Sequence, residues 1–357
     1  MKVLLFSTGF YEYMIELANA MSEHADVVLM LPSNRIDDIH LKSISPKVIF
    51  EPFELVDYKS IRDNSKMIFD IVKKINKHNS ETIHIQHYGH HWFYLAYPFL
   101  LKYRIVNTVH DPKPHIGDMI VKRALVSEFF NKIFCSKYIV HGEVLKKEMI
   151  LYRKIKADKI FVIPHGHLGL FKKWNKKTVK KEKKHIIFFG RIWKYKGLEY
   201  FIKAEPIVSK EIPDVKFVIA GKGEDFEKYE KMILNKNNFI IKNYRISNEE
   251  TDELFNQCSI CVLPYIEATQ SGVAAIALAY GVPVIATNVG SLPEVIENGI
   301  NGYIVETENE TAIAEKIIEL INNNNLYEAM SKNAISTVNN KLSWENISRQ
   351  TLEVYKF

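Results

Sequence analysis

Short apolar runs alternate with amphipathic segments along the chain, and this alternation occurs twice. In the first half, strands are predicted at Val3–Phe6, Val27–Leu31, Lys47–Phe50, Thr82–Gln86, Ile105–Val109, Tyr138–His141 and Ile160–Pro164. Helices are predicted between them at Tyr13–Glu23, Met67–Lys77 and Val144–Lys154. In the second half, strands are predicted at Ile186–Phe189, Lys216–Ala220, Phe239–Lys242, Ile260–Pro264, Val284–Thr287 and Gly302–Val305. Continuous apolar strands separated by helices are typical of parallel sheets with helices on both faces, so the sequence predicts an α/β protein.

The length and composition of the chain indicate two domains. The 357 residues exceed what one core usually holds, and the 47% hydrophobic content supports packed cores. We predict an N-terminal Rossmann-like domain over residues 1–165, a lysine-rich linker over 166–184 and a C-terminal Rossmann-like domain over 185–340. A final helix over 341–357 is expected to pack back on the N-terminal domain. Because ligands bind at the carboxyl ends of parallel strands, two sheets that face each other would form a cleft between the domains.

The strongest chemical signal is a pair of strand–turn–helix units within residues 185–302. The first strand ends at Gly190 and is followed by Arg191 and Lys196; the second ends at Pro264 and is followed by Glu267 and then by the helix start 270–273. A strand that leads into a helix aims free backbone N–H groups and the positive end of the helix dipole at a ligand. Arginine and lysine are the usual side chains for phosphate. Helix capping alone would also suit these residues, but their spacing favours a diphosphate site.

Several linked motifs resemble one enzyme family. They are Phe188-Phe-Gly-Arg-x4-Lys-Gly197, Val262-Leu-Pro264, Gln270-Ser-Gly272 and Gly281-Val-Pro-Val284, with a weaker Thr108-Val-His110-Asp111 before them. Together they are similar to the GT-B-fold retaining glycosyltransferases of family 4, also called glycosyltransferase group 1. The resemblance implies two Rossmann-like domains facing across a cleft. It also implies transfer of a sugar from a nucleotide diphosphate sugar to an acceptor held mainly by the N-terminal domain, with retention of anomeric configuration.

The resemblance also implies roles for individual residues. Arg191 and Lys196 match the family's diphosphate-binding cations, and Glu267 matches the first carboxylate of its two-glutamate motif, which touches the donor sugar. His110 matches a histidine beside the transferred sugar, and Gly9 stands where the family's first loop crosses the cleft. The helix-start loop over phosphate and ribose corresponds to Gln270, Ser271, Gly272 and Val273. His110 and Glu267 are therefore the expected catalytic residues, although a buried core histidine and a solvent-exposed glutamate remain alternatives.

One departure from the family pattern concerns the second glutamate. The E-x7-E spacing from Glu267 leads to Ala275, and alignment on Gly281 leads to Ile276. The carboxylate expected to bind the ribose hydroxyls is missing in either case. We interpret this as a subgroup variant.

Neither a metal nor a cofactor is expected. The chain contains no Asp-x-Asp pair of the kind that holds a metal on a diphosphate, so Arg191, Lys196 and helix ends must supply the positive charge. The densest histidine group comprises His84, His87, His90 and His91. A metal hydrolase is the alternative there, but no H-E-x-x-H motif occurs, which favours an acceptor-side loop. Cys258 and Cys261 resemble half a zinc site without its second half, so we expect them to be core residues.

The charge distribution limits the partners. The net charge is +6, but the stretch between Phe171 and Lys184, with eight lysines and one glutamate, carries +7, so the rest of the chain is close to neutral at about −1. A nucleic-acid-binding protein would spread its basic charge over one face, so this lysine run indicates a solvated hinge or a contact with anionic lipid headgroups.

The aromatic segment Trp92–Tyr103 suggests a lipid-linked glycan as acceptor. No apolar run approaches the roughly 20 residues of a membrane span, and the chain begins with a core strand, so we expect a cytoplasmic protein, or one on the inner membrane face.

Two other functions stay open at this point. A sugar-nucleotide epimerase or hydrolase of the same fold would use carboxylates around the sugar, of which Glu267 is one. A non-catalytic protein that binds nucleotides or glycans would explain the missing second glutamate.

Overall fold

The chain folds into two compact units. The computed structural model describes residues 1–56, 60–86, 91–113, 122–174, 180–223 and 226–356. Among these, residues 1–113, 122–166 and 343–356 form the N-terminal unit, and residues 167–342 form the C-terminal unit.

The N-terminal unit is built on a parallel sheet of seven strands. The strands are β1 Lys2–Ser7, β2 Asp26–Met30, β3 Ile49–Phe50, β4 Thr82–Gln86, β5 Arg104–Thr108, β6 Lys137–Val140 and β7 Ile160–Val162, in the order β3-β2-β1-β4-β5-β6-β7. The helices around them are α1 Tyr11–Met21, α2 Asp38–Ser43, α3 Ile61–His78, α4 Lys122–Phe134 and α5 Glu143–Leu151. Residues 3–6 of β1 are fully buried, as expected of a central strand covered on both faces.

The C-terminal unit is built on a second parallel sheet, with six strands. These are β8 Glu182–Phe189, β9 Lys216–Ala220, β10 Phe239–Lys242, β11 Cys258–Leu263, β12 Val284–Thr287 and β13 Gly302–Val305, in the order β10-β9-β8-β11-β12-β13. The helices are α6 Leu198–Glu211, α7 Phe226–Glu230, α8 Asn248–Gln257, α9 Gly272–Ala279, α10 Leu292–Val295, α11 Glu310–Asn322 and α12 Asn324–Asn339. Every strand predicted from the sequence is present, with some ends shifted by a few residues. The predicted α/β class is confirmed.

The strand order of each sheet reverses at one place. In the N-terminal unit the chain runs outward from β1 to β3 and then returns to place β4 on the other side of β1. In the C-terminal unit the same reversal lies between β8 and β11. At such a switch point the connections leave the sheet in opposite directions, and a crevice opens beyond the carboxyl ends of the two strands. The fold therefore marks two places where a ligand is expected, one in each unit.

The last helix, α13 Trp344–Tyr355, belongs to the N-terminal unit. The Trp344 ring packs edge-on against Tyr13 of α1, with centroids 4.8 Å apart. The Tyr355 hydroxyl lies 2.5 Å from His84 Nδ1 of β4. The end of the chain thus reaches the central strands of the first sheet.

Two segments differ from what the sequence suggested. The described part of the lysine-rich stretch is built into the C-terminal unit, where β8 already begins at Glu182 and Lys184 forms an ion pair with Asp214 at 2.6 Å. In the aromatic segment, a 3-10 helix spans His91–Phe99. Across the aromatic segment Phe99 and Leu101 are exposed, whereas the core-facing side chains are buried, namely those of Trp92, Phe93, Tyr97, Leu100 and Tyr103. Within the described residues, no helix is both long enough and apolar enough to cross a bilayer.

Candidate functional site

The exits of β8 and β9 approach each other so closely that both need glycine. Gly190 has φ +110° and donates its N–H to the Ala220 carbonyl at 2.9 Å. A Cβ on Gly221 would lie 1.8 Å from the Gly190 carbonyl oxygen, a distance that no side chain tolerates. The two glycines therefore allow backbone to contact backbone at the end of the sheet, which leaves the turn after Gly190 directly at the switch point.

Backbone contacts bring the two predicted phosphate motifs together. The N–H groups of Ile266 and Glu267 both point to the Tyr195 carbonyl, at 2.8 and 3.4 Å. A Cβ on Gly197 would lie 1.9 Å from the Pro264 carbonyl oxygen, so the turn that carries Lys196 sits against the exit of β11. The structure thus places the 191–196 turn beside the loop of Glu267, as expected for exits on either side of a switch point.

Aromatic rings hold the two cations of this site. Lys196 Nζ lies 3.6 Å from the centroid of the buried Tyr265 ring. The Arg191 guanidinium carbon lies 5.8 Å from the centroid of Trp193, and Arg191 Nη2 lies 3.4 Å from the Tyr195 hydroxyl. A cation over an aromatic face is attracted by the ring quadrupole and keeps its charge. Both cations are therefore positioned without being neutralised by those rings.

The start of α9 completes the site. Ser271 caps the helix, its Oγ accepting from the Ala274 N–H at 3.4 Å, and it lies 3.2 Å from the Tyr265 hydroxyl. The Gln270 Oε1 atom is buried and has no hydrogen-bond partner among the described residues. Val273 lies beside Gly190, 3.5 Å from where a glycine Cβ would stand. The positive end of the α9 dipole therefore lies at the same switch point as Arg191 and Lys196.

The positions of the missing second glutamate lie inside α9. Ala275 and Ile276 are buried, with 3% and 5% of their surface exposed. Both pack in the core of the C-terminal unit. The structure therefore offers no carboxylate at either aligned position.

In the N-terminal unit, the loop after β1 meets the end of β4. The Ser7 hydroxyl lies within donating distance of the carbonyl oxygens of both Gly9 and Gln86, and its single proton can bond to either, so one side chain links the two strand exits. Phe10 has φ 53°, in the left-handed region that a bulky residue rarely adopts. The Phe10 ring stacks on His110, with centroids 4.1 Å apart. The strained residue therefore connects the Gly9 loop to the predicted catalytic histidine.

His110 belongs to a cluster of buried imidazoles at the carboxyl ends of β5, β6 and β7. The ring centroids of His110 and His141 are 4.9 Å apart, those of His141 and His165 5.0 Å, and Tyr13 packs against all three rings. Burial, with a smaller contribution from the charge of His165, lowers the pKa of His110 to about 3. Burial also lowers the pKa of His141 to about 3. His110 and His141 are therefore neutral at pH 7.

The predicted site residues are divided between the two units, and the structure adds residues that the sequence did not suggest. Gly9 and His110 lie in the N-terminal unit, and the other predicted site residues lie in the C-terminal unit. Gln86 and His141 were missed as site residues, although each is the last residue of a predicted strand, and that position is itself a usable signal. Tyr195 and Tyr265 were missed because only the fold brings them to Arg191 and Lys196.

The histidine group singled out in the sequence is only partly described. His84 is buried in β4, where it contacts Thr108 and Tyr355, whereas His87 and His90 fall outside the described residues. Among the residues that the structure describes, no three His, Cys, Asp or Glu side chains are grouped so as to hold a metal ion.

Cys258 and Cys261 are buried free thiols, which confirms their prediction as core residues.

Comparison with known proteins follows the same division of the chain. The family profile described as Glycosyltransferase Family 4 matches residues 9–167, and that described as Glycosyl transferases group 1 matches residues 171–337. An uncharacterized glycosyltransferase of Methanocaldococcus jannaschii is 28% identical over 64% of this chain and 62% of that relative. The capsular polysaccharide biosynthesis glycosyltransferase CapM of Staphylococcus aureus is 31% identical over 60% of this chain and 61% of CapM. The chain thus matches less than two thirds of the length of these two relatives.

Solved structures extend the likeness over the whole chain. The crystal structure of Anabaena Alr3699/HepE in complex with UDP-glucose matches with a TM-score of 0.72 at 16% identity, over 99% of this chain and 98% of that chain. At this identity the likeness concerns the fold, and it confirms the GT-B class of two parallel-sheet units. Since the two profiles between them cover both units with their switch-point loops, the chain belongs to the group 1, family 4 glycosyltransferases.

Proposed function

We propose that this chain is a glycosyltransferase that moves a sugar from a nucleotide diphosphate sugar to a hydroxyl group of a glycan or lipid-linked acceptor. Retention of configuration and independence from metal ions are part of the proposal. The observation that carries it is the switch point of the C-terminal sheet. There a guanidinium, an ammonium and the amino end of α9 come together around the exits of β8 and β11.

These groups suit the charge that the reaction creates. When the bond between the anomeric carbon and the diphosphate breaks, negative charge grows on the departing phosphate oxygens. Arg191, Lys196 and the free amides of α9 offer positive charge that is already in place, and such preorganised donors need no reorganisation during reaction. Because the leaving phosphate accepts the acceptor's proton while the acceptor oxygen bonds to the anomeric carbon on the same face, no strong protein base is required. Glu267, beside the Tyr195 turn, is proposed to contact the donor sugar.

A thermal-shift screen tests the donor part of the proposal. The protein is mixed with UDP-, GDP-, ADP- and TDP-sugars, and a ligand that binds only the folded state raises the melting temperature. We expect one nucleotide class to stabilise the protein. That donor is then incubated with and without an acceptor panel. Transfer to an acceptor supports the proposal, whereas epimerisation, or hydrolysis that no acceptor suppresses, would assign the site to an epimerase or hydrolase. Binding without any turnover would favour a non-catalytic protein.

A pair of lysines in one turn gives a matched test of the phosphate assignment. Lys196 lies over Tyr265 at the switch point, whereas Lys194, two residues earlier, is exposed. We expect Lys196→Ala to lower the rate of transfer by about 10²-fold, the usual effect of removing one charge-stabilising donor. Lys194→Ala carries the same change in net charge and should retain nearly full activity. Equal effects of the two substitutions would contradict a specific role for Lys196.

Retention and metal independence have direct tests. Proton NMR of the first product formed reports the anomeric configuration, which we expect to match that of the donor. The same reaction in EDTA should proceed at an unchanged rate, because the positive charge at the diphosphate comes from the protein. Inversion would refute the first expectation, and a loss of activity restored by Mg²⁺ or Mn²⁺ would refute the second.

Peripheral contact with the inner membrane face is proposed for a lipid-linked acceptor. Phe99 and Leu101 are 64% and 69% exposed, and on the neighbouring α4 Phe129 and Ile133 are 61% and 57% exposed. Exposed lysines, Lys102 and Lys132, accompany these side chains and would attract anionic headgroups.

Liposome co-sedimentation with anionic vesicles tests this contact. Phe129→Ser combined with Ile133→Ser should weaken binding. Leu234→Ser, at a residue 83% exposed in the C-terminal unit, should not. Binding unaffected by the double substitution would refute this location.

A further inference from the structure

A buried side chain that the preceding mechanism does not use lies against His110. Gln86, the last residue of β4, is fully buried, and its Nε2 lies 2.5 Å from His110 Nε2. The nitrogen of an amide is a hydrogen-bond donor and cannot accept. In this contact the imidazole nitrogen must therefore act as the acceptor, which places the single proton of a neutral His110 on Nδ1.

The other ring nitrogen, Nδ1, is then a hydrogen-bond donor without a partner among the described residues. His110 Nδ1 is buried and has no hydrogen-bond partner among the described residues, and only 7% of the His110 surface is exposed. Leaving a buried donor unpaired costs free energy, so such atoms are uncommon in folded proteins unless a ligand or water uses them. Phe10 covers one face of the ring and Tyr13 packs edge-on, so the ring cannot turn freely.

We propose that Gln86 is a positioning residue that holds His110 in the neutral tautomer protonated at Nδ1 and thereby directs one N–H toward an oxygen atom of the substrate. The assignment of that oxygen to a sugar or acceptor hydroxyl rests on the proposed function. The tautomer itself does not depend on it. The strand order places Gln86 for this purpose, because β4 ends at the N-terminal switch point and β5, its parallel neighbour, ends at the same edge of the sheet.

The neighbourhood of His110 favours a neutral ring. The groups that face it are Phe10, Tyr13, Gln86, His141 and His165, and Asp111 is the nearby carboxylate. His141 provides an internal reference, because its Nδ1 lies 2.9 Å from the Ile163 carbonyl oxygen, which can only accept. A neutral His141 must therefore also carry its proton on Nδ1, whatever residue stands at position 86.

Nitrogen NMR of protein labelled with [15N]histidine tests the tautomer without any substrate. Protonated and unprotonated ring nitrogens resonate in distinct regions, and the variants His110→Gln and His141→Gln assign the two signals by their loss. We expect the pattern of the Nδ1–H tautomer for both residues. An Nε2–H tautomer at His110 would overturn the proposal, since the amide of Gln86 would then present its oxygen.

Substitutions at position 86 test the positioning role. Gln86→Met keeps the length of the side chain but removes the donor, so the His110 signal should change while that of His141 stays. Transfer activity should fall about tenfold in kcat, the scale of one lost hydrogen bond, with little change in the KM of the donor. Thr82→Val, on the same buried face of β4, is the matched control and should change neither signal nor rate.

Gln86→Glu separates positioning from packing. A carboxylate at this place would favour a doubly protonated His110, so both ring nitrogens should appear protonated and the pH profile of kcat should gain an ionisation. An unchanged His110 tautomer in Gln86→Met and in Gln86→Glu would overturn the role of Gln86. If the tautomer responds in both variants and no donor supports transfer, the proposed function fails while the role of Gln86 stands.

Discussion

Acidification should destabilise the N-terminal unit well above the pH at which carboxylates titrate. Burial lowers the pKa of His84 and, as the largest of several causes, that of His110 and of His141, each to about 3. In an unfolded chain a histidine has a pKa of about 6.5. The three imidazoles therefore stay neutral in the folded unit at a pH where the unfolded chain already binds protons.

The sign and size of the effect follow from this difference. Since the folded pKa values are depressed below the unfolded ones, the unit has its full stability above pH 6.5 and loses it as the pH falls toward 3. At pH 5 the protonation of each of these imidazoles in the unfolded chain lowers the free energy of unfolding by about 2 kcal/mol, because one pKa unit corresponds to about 1.4 kcal/mol. The three together amount to about 6 kcal/mol, which is comparable to the whole stability of many domains.

Other titrating groups also act in or near this window. Burial lowers the pKa of His167 to about 4 and lowers that of His185, so acidification destabilises the C-terminal unit as well. Burial alone would lower the pKa of His40, but hydrogen bonds and charges from Glu12 and Asp37 raise it overall. Protonation of His40 therefore stabilises the folded unit on acidification and offsets part of the loss. The pKa values of Glu51, Glu250 and Glu319 are lowered below 4.5, each by hydrogen-bonded partners acting against burial. Stability from those carboxylates is lost only as the pH falls below that value.

Urea titrations at pH 8 and pH 5, followed by tryptophan fluorescence and circular dichroism, measure the effect. We expect a much lower free energy of unfolding at pH 5. His141→Gln should reduce the difference between the two pH values by about 2 kcal/mol. His24→Gln, at an exposed histidine, serves as the control and should leave the difference unchanged. Equal stability at both pH values, or an unchanged difference in His141→Gln, would refute the reasoning.

Two further substitutions probe the C-terminal site. Gly221→Ala should lower the free energy of unfolding by about 3 kcal/mol or more, because its Cβ would lie 1.8 Å from the Gly190 carbonyl oxygen. Gly299→Ala, with φ +78° and no atom within 4 Å of the added Cβ, should lower it by only about 1 kcal/mol. Similar urea midpoints for the two variants would contradict the close approach. Ser271→Ala removes the cap of α9 and should cost about 1 kcal/mol of stability and weaken binding of the nucleoside diphosphate, measured by calorimetry; unchanged affinity would argue against an anion at this helix end.

Local sequence patterns were sufficient to predict the strands and to suggest which residues could bind phosphate. The alternation of apolar runs predicted the strands of both sheets because a buried parallel strand needs continuous apolar residues whatever its neighbours are. Gly190, Arg191 and Lys196 were predicted as a phosphate site because glycine, guanidinium and ammonium groups have a chemistry that does not depend on distant residues, and their role stays a prediction. The α2 and α4 helices and the 3-10 helix His91–Phe99 were missed. The 3-10 segment is apolar almost throughout, so it shows no amphipathic period.

What the sequence by itself determined is therefore the class of the fold and the residues that could hold a diphosphate. Only the tertiary structure decided which strand ends meet. Gln86 contacts His110 because β4 and β5 are neighbours, and Tyr355 reaches His84 although 271 residues separate them. The physical reason is that strand order and helix docking depend on the packing of whole faces, which no local spacing encodes. The tautomer of His110 is a consequence of that packing.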